Sequence, residues 1–206
     1  SVETIINFVY TSKVVINLTN VQTLLQAGFR VKLNAVALHG MIEEEVGDFV
    51  QLTEKLPIHV RFIEFMPFDG NKWDLSKMVS YAEVMTYVNA SFLESEIERL
   101  QDAPNDTSKN YKIKGYKGSF AIISSVTNPF CDSCNRLRLT ANGQLKNCLF
   151  SSTESDLLTT LRAGKPIEPI IQKAVQAKLK VRGGMDTLDK LQEPKLHNQN
   201  RSMITI

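Results

Sequence analysis

The order strand, helix, strand in the first third of the chain is the strongest constraint on its fold. Residues 30–38 alternate apolar side chains with Lys32 and Asn34, a pattern typical of a strand with one polar face. Residues 43–56 place apolar side chains mostly at helical spacing, and residues 58–65 predict a second strand. Two strands joined through a helix pair in parallel. The chain is therefore predicted to be an α/β protein.

Four further helices are predicted, two of them from their N-terminal signals. Capping-box patterns at residues 19–22 and 80–83 satisfy the first free N–H groups of a helix. The four predicted ranges are 19–28, 80–92, 154–162 and 167–179.

A polar stretch at residues 102–110 predicts a linker or a flexible loop, because it combines Pro104 with several Asp, Asn and Ser residues. Helix and strand patterns cease to alternate just before it. We therefore expect a domain boundary near this stretch, between residues 1–102 and residues 103–206.

The composition narrows the class of ligand. Of the 206 residues, 43% are hydrophobic and 22% are charged, which is typical of a globular protein. A net charge of +2 lacks the basic excess expected of a nucleic-acid-binding protein. No apolar run approaches the roughly 18 residues that indicate a membrane span. We predict that the chain binds neither nucleic acid nor a membrane, and that any anionic ligand is small.

Three cysteines form the group that points most directly to chemistry. Cys131 and Cys134 are a C-x2-C pair, which lets two thiolates from one tight loop reach one metal site, and Cys148 follows after thirteen residues. A sparse, odd set favours a reducing compartment over a disulfide scaffold. Metal binding is the preferred interpretation. A redox-active dithiol and ordinary thiols are the alternatives.

A β-hairpin is predicted to bring Cys148 back to the pair. Residues 136–140 and 144–149 have strand patterns, and Asn142-Gly143 between them is the strongest short hairpin signal. The arms of such a hairpin lie side by side. The three thiols are therefore expected to gather.

The fourth ligand of a closed metal site is missing near the cysteines. Structural zinc sites have four protein ligands, and the histidines of the chain are the distant His39, His59 and His197. Two alternatives remain open. A distant histidine completes a zinc site, or one metal of a cluster keeps an open position for a substrate or cofactor.

Arg136 and Arg138 follow the cysteine pair and, on a strand, point to the same face. Two guanidinium groups on one face suit phosphate oxygens, whereas solvent-exposed strand arginines are the alternative. Beside an open metal site we prefer the anion-binding interpretation. Lys32 on the first predicted strand, with Glu64 and Met66 at the end of the second, are weaker candidates.

Two segments together resemble the MoaA family, the GTP 3′,8-cyclases of molybdenum cofactor biosynthesis. They are Arg-Phe-Ile-Glu-Phe-Met-Pro-Phe-Asp-Gly-Asn-Lys-Trp at residues 61–73 and Asn-Pro-Phe-Cys-Asp-Ser-Cys-Asn-Arg-Leu-Arg-Leu-Thr at residues 128–140. The resemblance runs from about residue 21 to residues 202–204. The Phe-Asp-Gly-Asn-Lys-Trp stretch is more similar to the eukaryotic, mitochondrial form.

The resemblance implies the later part of a radical S-adenosylmethionine partial (β/α) barrel, followed by a C-terminal iron–sulfur region with a β-hairpin and helices. In that family three cysteines hold a second [4Fe–4S] cluster, whose open iron meets the guanine of GTP. The matching cysteines are Cys131, Cys134 and Cys148. The residues that match substrate-binding positions are Lys32, Arg136, Leu137 and Arg138. Met66 matches a residue near S-adenosylmethionine.

The activity implied by the resemblance is that of a lyase. The family cleaves S-adenosylmethionine reductively at a first cluster, abstracts hydrogen from the ribose of GTP, and closes the ring to a cyclic pyranopterin precursor. The resemblance also implies a homodimer and a downstream partner protein that receives the precursor. The expected location is the mitochondrial matrix for a eukaryotic chain, or the cytoplasm for a bacterial one.

The chain departs from the family in three places. No cysteine is left to form the N-terminal C-x3-C-x2-C motif of the first cluster, residues 1–13 do not match, and the C-terminal Gly-Gly is absent. We therefore expect a fragment, a splice form or a gene-model artefact that holds only the GTP-side half of the site and is incomplete alone. The alternative function is a zinc-stabilised, non-enzymatic interaction module.

Overall fold

The computed structural model describes residues 3–8, 18–68, 71–193 and 203–205. The chain forms two compact units: Ser1–Phe65 with Ser76–Asn128, and Met66–Leu75 with Pro129–Ile206. His197 and most of the atypical residues 1–13 lie outside the described ranges.

The first unit is a six-stranded mixed sheet with helices. Its strands are β1 (Glu3–Phe8), β2 (Arg30–Ala37), β3 (His59–Glu64), β4 (Ile97–Arg99), β5 (Lys109–Ile113) and β6 (Ser119–Ile123). Its helices are α1 (Leu18–Gln26), α2 (Val46–Gln51) and α3 (Tyr81–Ser91). The strand order is β1-β2-β3-β6-β5-β4, in which β1, β2, β3 and β6 pair in parallel and β5 pairs antiparallel with both β6 and β4. The predicted α/β class and the parallel pairing of β2 with β3 are confirmed.

The two faces of this sheet differ in polarity. Along β2 the side chains of Val31, Leu33 and Ala35 are buried in the core, whereas Lys32 is only half-buried. The neighbouring strands β3 and β6 each add one fully buried phenylalanine, Phe62 and Phe120, to the same core. The polar face predicted for β2 is therefore present.

The helix ends show where local signals were sufficient. Ser80 caps α3 as predicted, because its hydroxyl accepts from the N–H of Glu83 while the Glu83 carboxylate accepts from the N–H of Ser80. The first helix instead begins at Leu18, one residue before the predicted start. It ends at Gln26, two residues before the predicted stop at Gly28, whose φ of 83° belongs to the left-handed region that favours glycine. The helix predicted over residues 43–56 shortens to α2, with hydrogen-bonded turns on both sides.

The stretch predicted to be a linker is an ordered loop of the same sheet. Residues 102–110 connect β4 to β5, which pair antiparallel. The Asp102 carboxylate accepts from the backbone and side-chain N–H groups of Asn110, and Asp106 accepts from the N–H of Ser108. The N–H groups of Asn110 and Ser108 thus donate to these carboxylates, whereas in a flexible loop they would donate to water. The sheet thus continues across the expected boundary at residues 102/103.

The second unit contains a four-stranded antiparallel sheet and short helices. Its strands are β7 (Arg138–Thr140), β8 (Gln144–Lys146), β9 (Ser155–Asp156) and β10 (Met203–Thr205), in the order β10-β7-β8-β9. Its helices are α4 (Leu158–Arg162), α5 (Glu168–Gln176) and α6 (Leu188–Leu191). The predicted hairpin is confirmed as β7 and β8 around residues 141–143, with Leu139 opposite Leu145. No helix among the described residues is long and apolar enough to cross a membrane.

Candidate functional site

The cysteine pair lies on one tight turn of the second unit. Cys131–Ser133 forms a single turn of 3-10 helix, closed by the N–H of Cys134, which donates to the Cys131 carbonyl over 3.1 Å. The intervening Asp132 and Ser133 are exposed, whereas both cysteines are half-buried. The turn therefore carries two thiols that are partly shielded from solvent.

Cys148 returns to this turn along the hairpin. It lies two residues after β8, and its carbonyl accepts from the N–H of Ser151 over 3.3 Å. Burial raises the pKa of the Cys148 thiol, and the neighbouring Cys131 and Cys134 raise it further. Because such interactions weaken with distance, the thiols of Cys131 and Cys134 are close enough to Cys148 to affect it electrostatically.

The electrostatic surroundings of Cys134 favour its thiolate. Burial alone raises the pKa of this thiol, but hydrogen bonds from the backbone and side chain of Arg136, helped by Lys178, outweigh burial and lower that pKa below its ordinary value. A thiolate is the form of cysteine that binds metals. Cys134 is therefore prepared for ligation before a metal arrives.

Two donors point directly at cysteine sulfur atoms. The Nζ of Lys178 lies 3.4 Å from the Sγ of Cys134, and the backbone N–H of Arg182 donates to the Sγ of Cys131 over 3.4 Å. Hydrogen bonds of this kind surround the sulfur ligands of metal clusters and tune them. Neither residue was predicted from the sequence.

The donor set fits an iron–sulfur cluster. Such a cluster is held by cysteine thiolates, each of which binds a different iron, and hydrogen bonds to the sulfur atoms tune it. The cysteine turn and the hairpin supply three thiols, and Lys178 and Arg182 supply N–H donors to two of them. Among the described residues, no group of three or more His, Cys, Asp or Glu side chains is arranged around a single metal ion. His39 and His59, the described candidates for a fourth zinc ligand, belong to the first unit.

Arg136 lies beside the cysteine turn with an unused donor. Its guanidinium carbon is 4.7 Å from the centroid of the Phe130 ring. Its Nη2 atom is buried and has no hydrogen-bond partner among the residues that the structure describes. Buried polar atoms are rarely left in this condition unless a ligand completes them. This atom points to an acceptor supplied from outside the described residues.

Arg138 begins β7, and Leu137 and Arg138 are both half-buried. Burial lowers the pKa of Arg138, and the charge of Arg136 lowers it further, while Cys148 and Cys134 act in the opposite direction. Arg136 precedes the strand instead of lying on it, so the predicted strand start at residue 136 is wrong. The two arginines nevertheless share the electrostatic neighbourhood of the cysteines.

Lys32 belongs to the first unit, on the polar face of the sheet. Its register partner on β3 is His59, whose own register partner on β6 is Ser119. His59 Nδ1 lies 2.8 Å from the hydroxyl of Ser119, and His39 Nδ1 lies 3.1 Å from the Glu43 carboxylate. Both described histidines therefore have polar partners of their own.

Met66 opens the short segment of the second unit at residues 66–75. Its carbonyl accepts from the side-chain amide of Asn71 over 2.8 Å, and the Asn71 amide oxygen accepts from the N–H groups of Phe68 and Trp73. Asn71 therefore connects Met66 and Phe68 with Trp73 through its side chain. Residues 69–70 of the predicted loop lie outside the described residues.

Comparison with known proteins assigns the family. Residues 58–183 match the family described as Molybdenum Cofactor Synthesis C, and this range is more than half of the chain. The chain belongs to the molybdenum cofactor synthesis C family. The matched range includes the cysteine turn and the hairpin, and the resemblance inferred from the sequence is confirmed.

Three relatives show how much of a longer protein the chain represents. It is 44% identical over 183 residues to the mitochondrial GTP 3′,8-cyclase of Arabidopsis thaliana, covering 86% of this chain and 46% of that protein. It is 43% identical over 179 residues to molybdenum cofactor biosynthesis protein 1 of Homo sapiens, covering 85% and 27%. It is 40% identical over 154 residues to the GTP 3′,8-cyclase of Desulforamulus reducens, covering 72% and 46%. The chain spans less than half the length of each of these relatives.

Proposed function

We propose that this chain is the cluster- and GTP-binding part of a GTP 3′,8-cyclase of molybdenum cofactor biosynthesis, a lyase that converts GTP into a cyclic pyranopterin precursor by radical S-adenosylmethionine chemistry. The family match supports this reaction, and so do the relatives from Arabidopsis thaliana and Desulforamulus reducens, both named GTP 3′,8-cyclase. The observation that carries the proposal is the turn with Cys131 and Cys134 beside Arg136, whose buried Nη2 has no partner among the described residues.

Cys131, Cys134 and Cys148 would hold a [4Fe–4S] cluster. When bound, this cluster supplies an iron with an open position that can ligate the guanine of GTP. The protein contributes the thiolates and their surroundings: hydrogen bonds lower the pKa of Cys134, and the tight turn sets the spacing of the pair. A zinc-stabilised module is not favoured, because the chain belongs to the molybdenum cofactor synthesis C family and its relatives include two GTP 3′,8-cyclases.

The arginines would bind the anionic part of GTP. A phosphate or carbonyl oxygen gives the Nη2 atom of Arg136 the acceptor that it lacks among the described residues. Arg136 and Arg138 also repel each other, as the lowered pKa of Arg138 indicates, and an anion between them removes that repulsion. The family pattern adds Leu137 and Lys32 to the GTP-binding residues, and the polar face of β2 on which Lys32 lies supports its inclusion.

The remaining assignments rest on the family pattern. Met66 contacts S-adenosylmethionine, and the parallel strands belong to a partial radical S-adenosylmethionine barrel. The cluster segment corresponds to the second unit, Met66–Leu75 with Pro129–Ile206, because the sheet continues across the boundary expected at residues 102/103. A homodimer, and a downstream protein that receives the precursor, complete the expected assembly. The location proposed for a eukaryotic chain is the mitochondrial matrix, because the Arabidopsis thaliana relative is named a mitochondrial protein. For a bacterial chain the proposed location is the cytoplasm.

Anaerobic iron–sulfur reconstitution followed by GTP titration tests the proposal. We expect about four irons per chain, as a [4Fe–4S] cluster requires, and an absorption spectrum that GTP perturbs. Arg136→Gln removes charge-assisted hydrogen bonds of about 1.5–3 kcal/mol each, so its GTP affinity falls about 10-fold or more at unchanged iron content. The exposed Arg162→Gln of α4 is the matched control and keeps wild-type affinity. Stoichiometric zinc without iron overturns the proposal.

A further inference from the structure

The segment that follows α5 reaches the cysteine turn. Lys178 lies two residues beyond the helix, and its Nζ donates to the carbonyl of Cys134 over 2.9 Å, lies 3.4 Å from the Sγ of the same residue, and donates to the carbonyl of Arg136 over 3.2 Å. One ammonium group therefore connects a candidate cluster ligand to a candidate substrate arginine. The residues of this stretch that make the contacts, Lys178, Arg182 and Gly183, are together called the clamp segment below.

The second contact of the clamp segment is a backbone N–H aimed at sulfur. Arg182 donates this N–H to the Sγ of Cys131 over 3.4 Å, with φ at 42°. Its guanidinium is 5% exposed and donates to the carbonyls of Met185 and Asp186 over 2.8 and 2.9 Å. Through these two hydrogen bonds, the buried Arg182 guanidinium fixes the backbone of the loop at residues 182–186. The direction of the N–H towards Cys131 is thus fixed by the Arg182 side chain.

The third contact is a close approach to the residues after Cys148. A Cβ atom on Gly183 would lie 2.9 Å from the backbone nitrogen of Ser151, which itself donates to the carbonyl of Cys148. Only glycine allows the two backbones to come so near. The clamp segment therefore contacts both the turn that carries Cys131 and Cys134 and the stretch that follows Cys148.

We propose that the clamp segment positions and tunes the cluster site, with Lys178 as the tuning residue. The inference rests on the proposed function and deepens it. A positive charge and a hydrogen bond at a thiolate sulfur draw electron density from the cluster, so they stabilise its one-electron-reduced form and raise the reduction potential. Through the Arg136 carbonyl, the same ammonium group also fixes the chain that carries the substrate arginine.

The two roles belong to different parts of the clamp segment. Arg182 and Gly183 act through the backbone and set where Cys131 and the Cys148 arm lie. Lys178 acts through its charge, which a substitution can remove without changing the backbone. Lys178 is therefore the residue at which tuning can be separated from structure.

The test is a dithionite redox titration of the reconstituted chain, followed by absorption and electron paramagnetic resonance. Lys178→Met keeps the length of the side chain and removes its charge, Lys178→Arg keeps the charge, and the exposed Lys180→Met is the matched control. We expect Lys178→Met to shift the reduction equilibrium about tenfold towards the oxidised form, which is about 59 mV more negative for one electron. Lys178→Arg recovers most of this shift, and Lys180→Met leaves the potential of the wild type.

The outcomes separate this inference from the proposed function. A wild-type chain that takes up no iron overturns both. A wild-type cluster whose potential is the same in Lys178→Met, or shifts equally in Lys180→Met, overturns the inference alone. If the Lys178→Met cluster is too labile for a redox titration, its loss to an iron chelator is measured instead. Faster loss in Lys178→Met than in Lys180→Met then supports the inference, and equal rates contradict it.

Discussion

Replacing Glu64 by Gln tests whether one buried carboxylate holds the carboxyl edge of the first sheet together. Glu64 ends β3 and is 1% exposed. Its carboxylate accepts from the N–H groups of Tyr81, Val126 and Thr127 over 3.0, 2.7 and 2.9 Å, and also from the Thr127 hydroxyl. The end of β3, the start of α3 and the stretch after β6 therefore meet at a single side chain.

The size of the effect follows from the number of donors. Gln keeps one acceptor oxygen, which can serve two of the four donors, while its NH2 group faces the other two. The Thr127 hydroxyl can rotate and accept, but the Tyr81 N–H then loses its acceptor. Hydrogen bonds to a charged group contribute about 1.5–3 kcal/mol each; the one from Tyr81 is lost, and the other three become weaker bonds to a neutral amide. Since the neutral amide costs less to bury than a carboxylate, we expect a net loss of about 2–4 kcal/mol in the free energy of unfolding.

Urea unfolding, followed by circular dichroism, measures this loss. Glu98→Gln is the control, because Glu98 lies exposed on β4 of the same sheet and its substitution should change stability by less than about 0.5 kcal/mol. We expect a lower midpoint for Glu64→Gln at an unchanged m-value. A midpoint equal to that of Glu98→Gln would refute the assignment of Glu64 as the tie between these segments.

Two further substitutions probe the loops of each unit. A hydrogen bond from Arg99 is the main cause that holds the pKa of Asp102 at about 2. The Asp102 carboxylate therefore stabilises the fold fully above its unfolded pKa of about 3.9, and this stabilisation is lost as pH falls through about 2. Asp102→Asn should cost about 1–2 kcal/mol at pH 7, allowing for solvent screening, and almost nothing near pH 2. An equal loss at both pH values in urea unfolding would contradict this. Gly183→Ala should cost about 2–3 kcal/mol because its φ is 64° and its Cβ would meet the Ser151 backbone. Gly164→Ala, with φ at 67° and nothing within 4 Å, isolates the cost of φ alone and should lose less in the same assay.

The parts of the fold that could be predicted from the sequence are those with a regular pattern. The period of two in β2 and β3 reflects one buried and one polar face, and the Ser80 capping box depends only on residues three positions apart. The strand β4 was missed because its three residues are too few to show a pattern. The strand β5 was missed because it carries Lys and Asn on its half-buried face. The polar loop at 102–110 resembled a linker because its order comes from carboxylates that bond back to the backbone.

The candidate site divides in the same way. The C-x2-C turn and the hairpin are local, so their residues predicted that Cys148 returns to the pair. Lys178 and Arg182 follow the cysteines they contact by 44 and 51 residues, and no spacing rule connects them. The acceptor role of Glu64 depends on donors 17 and 62 residues away. Such contacts become visible only when the packing of the elements is known.

The charges of the site give a further reason to expect an anionic ligand. In the absence of metal, Arg136 and Lys178 lower the pKa of Cys134 whereas burial raises that of Cys148, so thiolate charge balances only part of the charge of Arg136, Arg138 and Lys178. An iron–sulfur core is itself positive and cancels most of the thiolate charge, so cluster binding leaves the cations in excess. An excess of positive charge in a half-buried site is costly unless an anion enters. Cluster binding and anion binding at this site should therefore favour each other, and the buried Nη2 of Arg136 marks where the anion can enter.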